Sequence, residues 1–210
     1  KAVIHLYWKE NDAEIFIDTS GETLAKHGYR KIPGKAPMLE ALAAGTIMAT
    51  GWDRKSPFVV PMCGSGTLAI EAALLATDKT PGMFRMNYGF MHIIGYNEEV
   101  FFEERRKLKE KAKREIDFRI VATDHSEDAV DISRKNAKTA GVDHLIDFSV
   151  CDFADTEVPE GSGIVIFNPE YGERLGVHTK LEATYKRIGD FMKQKCKGYR
   201  GYIFTGNPDL

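Results

Sequence analysis

Two short stretches of this chain combine ligand-binding side chains with the glycines and prolines that would hold them still. The first is Pro61-Met62-Cys63-Gly64-Ser65-Gly66-Thr67, which joins an apolar run to a strongly helix-forming one. Gly64 and Gly66 permit a tight turn and let backbone approach a ligand, and the first N–H groups of the following helix have no intrahelical partners. Such a turn can cradle a nucleotide-like cofactor. It does not by itself say which one, because Gly64-Ser65-Gly66-Thr67-Leu68-Ala69 also satisfies the dinucleotide fingerprint G-x-G-x-x-A. A Walker phosphate loop is excluded, since no Gly-Lys-Ser or Gly-Lys-Thr follows the turn.

The acids further on help to separate the cofactors. A dinucleotide site expects an Asp or Glu about 20 residues after the glycines, at the end of the second strand. Here that acid is Asp124, much later, because residues 77–115 intervene. Asp124, with His125 beside it, could accept hydrogen bonds from ribose hydroxyls; it equally suits an acid at a helix start, as do Glu127 and Asp128. Asp152 ends a third strand in the same way and could accept from an adenine amino group, with Phe153 against the ring. For Phe153 taken alone, burial preference favours a core position. Together Pro61, Cys63, Gly64, Gly66, Thr67, Asp124, His125, Asp152 and Phe153 outline a site for S-adenosylmethionine rather than for a nicotinamide.

The second stretch is Asn168-Pro169-Glu170-Tyr171-Gly172-Glu173-Arg174-Leu175-Gly176, entered from the apolar run Gly163 to Phe167. An exocyclic amine on a nucleic-acid base is a poor nucleophile, because its lone pair is delocalised into the ring. Two acceptors facing its two N–H groups would aim the nitrogen at a methyl donor and stabilise the charge that develops on it. The Asn168 side chain, which also borders the cofactor, and the Pro169 carbonyl can supply them. Tyr171 can stack on a flipped or unpaired base. No strong general base is required, and His125 and His178 read as loop residues. A strand-ending turn is the plain alternative, since Asn-Pro is ordinary there. A cytosine C5 methylase would need a cysteine in this loop, and none is present; Cys63 reads as a small buried filler.

These residues need elements to position them, and the pattern supplies strands alternating with helices. Strands are expected at 58–62, 119–123, 146–150, 163–167 and 199–205, with helices at 38–48, 68–75, 98–115, 126–140 and 180–195. That alternation predicts an α/β fold, a doubly wound, Rossmann-like, mostly parallel sheet, with every motif above at a strand's carboxyl end. Residues 77–97, rich in Pro, Gly and aromatics, are expected to be irregular. Glu103 with Lys107 and Glu110 with Arg114 are expected i,i+4 pairs on the charged helix. Val3 to Trp8 and Glu14 to Asp18 alternate as a hairpin. This divides the chain into an N-terminal hairpin and linker, 1–36, and a cofactor-binding domain, 37–210, whose last strands are expected to lie beyond the given sequence.

Composition narrows the partners. Twenty-nine Lys plus Arg against 31 Asp plus Glu leave a net charge of -2, so nucleic-acid contact requires a local patch or a separate module. Cys63, Cys151 and Cys196 are widely spaced and have no zinc-like pairing, so no metal is expected and a reducing, cytoplasmic setting fits. No apolar run nears the roughly 20 residues of a membrane span.

Pro61 to Thr67, Asn168 to Gly176, Asp18-Thr19-Ser20-Gly21 and His27-Gly28-Tyr29-Arg30 resemble the THUMP-associated class I RNA methyltransferases, specifically the bacterial 23S rRNA guanine-N2 group. The resemblance implies a class I methyltransferase fold, S-adenosylmethionine as donor, a guanine N2 acceptor, an upstream RNA-binding THUMP domain and a role in rRNA processing. The same loop also serves adenine N6, and a binding or assembly factor without catalysis is a third reading. Two positions depart from the family pattern. Val60 stands where an Asp is usual. Glu170 interrupts an Asn-Pro-Pro-Tyr loop; it could accept from a guanine N1–H edge or point to solvent.

Overall fold

In the computed structural model, residues 3–32, 37–169 and 178–206 are described. The chain order is β1 (Val3–Lys9), β2 (Asp12–Asp18), α1 (Glu40–Ala49), β3 (Phe58–Pro61), α2 (Thr67–Ala76), α3 (Glu98–Lys111), β4 (Ile120–Asp124), α4 (Glu127–Ala140), β5 (Ile146–Val150), β6 (Ile164–Phe167), α5 (His178–Lys195) and β7 (Arg200–Ile203). Strands β3 to β7 form one parallel sheet in the order β5-β4-β3-β6-β7, and β1 and β2 form a separate antiparallel pair. The chain starts in the middle of the sheet at β3, builds outward through β4 and β5, then returns to lay β6 against the other side of β3. That reversal puts the switch point of the sheet between β3 and β6, and open sheets of this kind take ligands beyond the carboxyl ends of the strands there.

Alternation along the strands sorts side chains between two cores. Phe58, Val60, Ile120, Ala122, Ile164 and Ile166 face the layer built by α1, α2 and α4. Val59, Val121, Val165 and Phe167 face the opposite layer, where α5 contributes Ile188 and Phe191. Burial on both faces explains why these strands read as continuous apolar runs rather than alternating ones. Val60, the position that departs from the family pattern, is therefore a core residue of the helix layer.

Helix ends follow local chemistry. Ser126 caps α4 by accepting from the Ala129 N–H, and Gly141 closes it in the left-handed conformation. Asn97 caps α3 likewise. The expected pair Glu103–Lys107 forms at 3.0 Å, but Glu110 pairs with Arg106 instead of Arg114, because α3 ends at Lys111. Residues 77–97 contain two 3-10 turns, Pro81–Phe84 and Gly89–His92. Arg105 of α3 donates to the carbonyls of Gly82, Met83 and Arg85, and Phe90 N–H donates to Thr19 O. This segment thus grips the turn that leaves the hairpin.

Candidate functional site

After Pro61 the backbone turns sharply, and Met62, Gly64 and Gly66 all take positive φ, at 59°, 56° and 82°. A left-handed methionine costs roughly 1–3 kcal/mol and persists only where its surroundings enforce it. Strain of this kind collects at ligand sites. The two glycines differ in what lies beside them. A Cβ on Gly66 would stand 2.9 Å from the Ser133 hydroxyl, whereas a Cβ on Gly64 would meet nothing within 4 Å. Gly66 is therefore needed for packing against α4, and Gly64 borders open space.

Helix α4 backs the turn. Ser133 donates to Gly64 O at 2.7 Å and Asn136 donates to Ser65 O at 3.3 Å. Because the peptide unit is planar and trans, fixing Gly64 O toward α4 turns the Ser65 N–H the other way. Gly66 N–H closes the turn on Cys63 O at 2.9 Å, and Gly66 is the N-cap of α2. The turn's remaining N–H groups and the start of α2 form a positively polarised rim suited to a carboxylate or other electron-rich group.

Asp124 ends β4 beside this turn. Its Oδ2 accepts from Gly64 N–H at 2.9 Å and its Oδ1 from Ser126 N–H at 3.0 Å. A carboxylate has about four lone-pair positions, so two remain for ligand hydroxyls. Asp124 is thus a helix-start acid that is also hydrogen-bonded to the glycine turn. His125 is mostly exposed, with Nδ1 3.4 Å from Asp124 Oδ1.

Beyond β5, Asp152 accepts from Ala154 N–H at 2.9 Å and from Arg187 of α5 at 2.7 Å. The Ala154 bond, then the Arg187 guanidinium, hold its carboxyl below the usual carboxylate range. Phe153 is packed against Phe167 and Phe191, with the Arg187 guanidinium 4.7 Å from its ring centre. Its place is the core one, and the group reaching over it is Arg187, which the sequence reading did not single out.

Asn168 follows β6, next to the end of β3 in the sheet register. Its Oδ1 is buried and has no hydrogen-bond partner among the described residues. A buried acceptor left in that state costs about 1–3 kcal/mol unless a ligand completes it. Pro169 beside it is buried. Glu170 and Tyr171 lie outside the described residues. Asp152, Asp124, the glycine turn and Asn168 stand on neighbouring strands, about 14 Å from first to last at the usual strand spacing. An elongated ligand lying across four strand ends fits that row.

Cys63 is buried, and burial pushes its thiol up to about 12. It is an uncharged filler 3.7 Å from the Ser133 hydroxyl, not a thiolate. Among the described residues no group of three or more His, Cys, Asp or Glu is placed to hold a metal ion. No described helix is long and apolar enough to cross a membrane. Ser133 and Asn136 went unrecognised in the sequence because their partners lie about 70 residues away. The only local signal was two short polar residues three apart on one face of a helix.

The parallel sheet and the strand reversal are those of a class I methyltransferase fold. Residues 27–210 match the family of RMKL-like methyltransferase domains (UPF0020), and the chain belongs to that family. It is similar to the SMU.472 protein, solved complexed with SAH: 31% identity, TM-score 0.89, covering 99% of this chain and 54% of that one. It is also similar to a possible methylase from Clostridium difficile 630, with 34% identity, TM-score 0.88, and coverage of 99% and 54%. A predicted N6-adenine-specific DNA methylase from Listeria monocytogenes str. 4b F2365 gives 31% identity, TM-score 0.88, and coverage of 98% and 53%. The chain spans about half the length of these solved relatives.

Proposed function

We propose that this chain binds S-adenosylmethionine across the strand ends and transfers its methyl group to an exocyclic amine of a base in RNA, guanine N2 in 23S rRNA. The observation that carries the reading is the buried Asn168 Oδ1 at the switch point, which has no hydrogen-bond partner among the described residues. The SAH in the SMU.472 structure supports the cofactor, and the sequence resemblance supports the acceptor. S-adenosylmethionine supplies an electrophilic methyl on a sulfonium centre. The residues of this chain do the rest. Gly64 to Thr67 hold the amino-acid end, Asp124 takes the ribose hydroxyls, and Asp152 takes the adenine amine.

At the acceptor, Asn168 Oδ1 and the Pro169 carbonyl each receive one N–H of the base amine. This aims the nitrogen lone pair at the methyl carbon and stabilises the positive charge as the N–C bond forms and the C–S bond breaks. The methylated ammonium is acidic and loses its proton to water. Tyr171 stacks on the base, and Glu170 accepts from the guanine N1–H. An upstream RNA-binding domain of THUMP type, outside this sequence, delivers the substrate.

The predicted specificity of the Listeria relative favours a second reading, adenine N6. Transfer of tritiated methyl to rRNA and to DNA, followed by nucleoside analysis, separates the two. Label in N2-methylguanosine supports the proposal, and label in N6-methyladenine supports the second reading. Saturable SAH binding with no transfer to any nucleic acid would leave a binding factor. For Glu170, undiminished guanine methylation in both Glu170→Gln and Glu170→Pro removes its assigned contact.

A further inference from the structure

Residues 27–32 cross over the start of α2 before the chain reaches α1. His27 Nδ1 lies 2.7 Å from Glu71 Oε1 of α2, a pair almost wholly out of water. Arg30 donates to Thr67 Oγ1 at 3.0 Å and to Met38 O, with Glu40 3.7 Å from its Nε. Thr67 is the first residue of α2, directly after Gly66. The crossing segment is therefore fastened to the residue that follows the cofactor turn.

A second fastening runs through α4. Asn136 is 1% exposed and uses its whole hydrogen-bonding capacity. Its Oδ1 accepts from the N–H groups of Lys31 and Ile32, both at 3.3 Å. Its Nδ2 donates to Ile32 O at 3.0 Å and to Ser65 O at 3.3 Å. One amide thus joins the backbone of the crossing segment to the backbone of the glycine turn. Neither side can shift without stranding a buried polar group.

We propose that Asn136 is a positioning residue that couples residues 27–32 to the cofactor turn, so that cofactor binding tightens the crossing segment and loosening of the segment weakens the cofactor. The two effects are equal in free energy by linkage. The coupling rests on the S-adenosylmethionine reading of the turn. Only an amide of this length satisfies all four bonds. Asp at 136 keeps the shape and loses both donors, leaving Ile32 O and Ser65 O without partners.

Two measurements on the full chain test it. In calorimetry with SAH, the wild type binds saturably, and Asn136→Asp raises the dissociation constant at least tenfold. Arg30→Lys raises it by a smaller factor. Leu145→Ala, a core truncation remote from the turn that serves as a control for general destabilisation, binds as the wild type does. In amide hydrogen exchange, SAH slows the Lys31 and Ile32 amides of the wild type. The Asn136→Asp variant loses that response. Wild-type amides at 31 and 32 indifferent to SAH, or unchanged affinity in Asn136→Asp, overturn the coupling alone. Equal weakening by Leu145→Ala also overturns it, because the effect then follows stability. Should Asn136→Asp fail to fold, wild-type exchange and Arg30→Lys decide on the same terms. No saturable SAH binding by the wild type overturns the cofactor reading, and the coupling with it.

Discussion

Cys63 occupies the turn where a reactive thiol would be suspected, and its burial argues the opposite. With its folded thiol near 12 and a usual value of 9.0, the folded protein keeps the proton that the unfolded chain releases. Its contribution to stability is full below pH 9 and is lost as pH rises toward 12. Cys63→Ala should therefore make alkaline unfolding less steep in that window, followed by circular dichroism. Iodoacetamide at pH 8 should label the partly exposed Cys151 before Cys63. Asn168 gives the opposite kind of test. Asn168→Ala should lower kcat for methyl transfer about 100-fold or more, the loss seen when one preorganised group of a transition-state site is removed. Its affinity for SAH, measured by calorimetry, should change far less. The sequence marked Asn168 because a polar residue ending a buried strand stands out locally. It could not mark Arg187 or Asn136, since nothing in the neighbouring residues records a partner from 35 to 105 positions away.

Among the elements, the glycine turn and α4 act as one unit. Gly66→Ala must accommodate both a φ of 82° and a Cβ pressed against Ser133, so it should cost more stability than Gly64→Ala, which meets only the roughly 1–2 kcal/mol of the left-handed conformation. Urea unfolding of the two variants measures the difference. Gly64→Ala should instead weaken SAH, because its methyl enters the open side of the turn. Ser126→Ala removes the α4 cap and should cost about 1 kcal/mol. Most of these elements were legible in the sequence. Doubly buried strands announce themselves as short apolar runs, and the caps of α4 at Ser126 and Gly141 are local signals. The end of α3 was not legible, because Ala112 to Glu115 are chemically fit to continue a helix. The chain leaves it at Ala112, and Lys113 N–H donates to Thr77 O just past the end of α2.

For the whole molecule, the hairpin is the part least explained by the sheet. Its register places Ile4, Leu6 and Trp8 on one face with Ile17, Ile15 and Ala13 opposite them, and the large side chains there are all exposed. An uncovered apolar face on an isolated two-stranded sheet favours association. Replacing the facing pair Leu6 and Ile15 by Lys and Glu should raise the concentration at which light scattering sets in. The dissociation constant for SAH should stay the same, since among the described residues no hydrogen bond joins the hairpin strands to the strand ends. Those ends are tied together: the bond from Gly64 to Asp124 joins the turn after β3 to the end of β4. On the reading proposed above, that bond pre-sets the turn for S-adenosylmethionine. Its association rate should follow diffusion and viscosity, and differences among turn variants should appear in how long the cofactor stays bound.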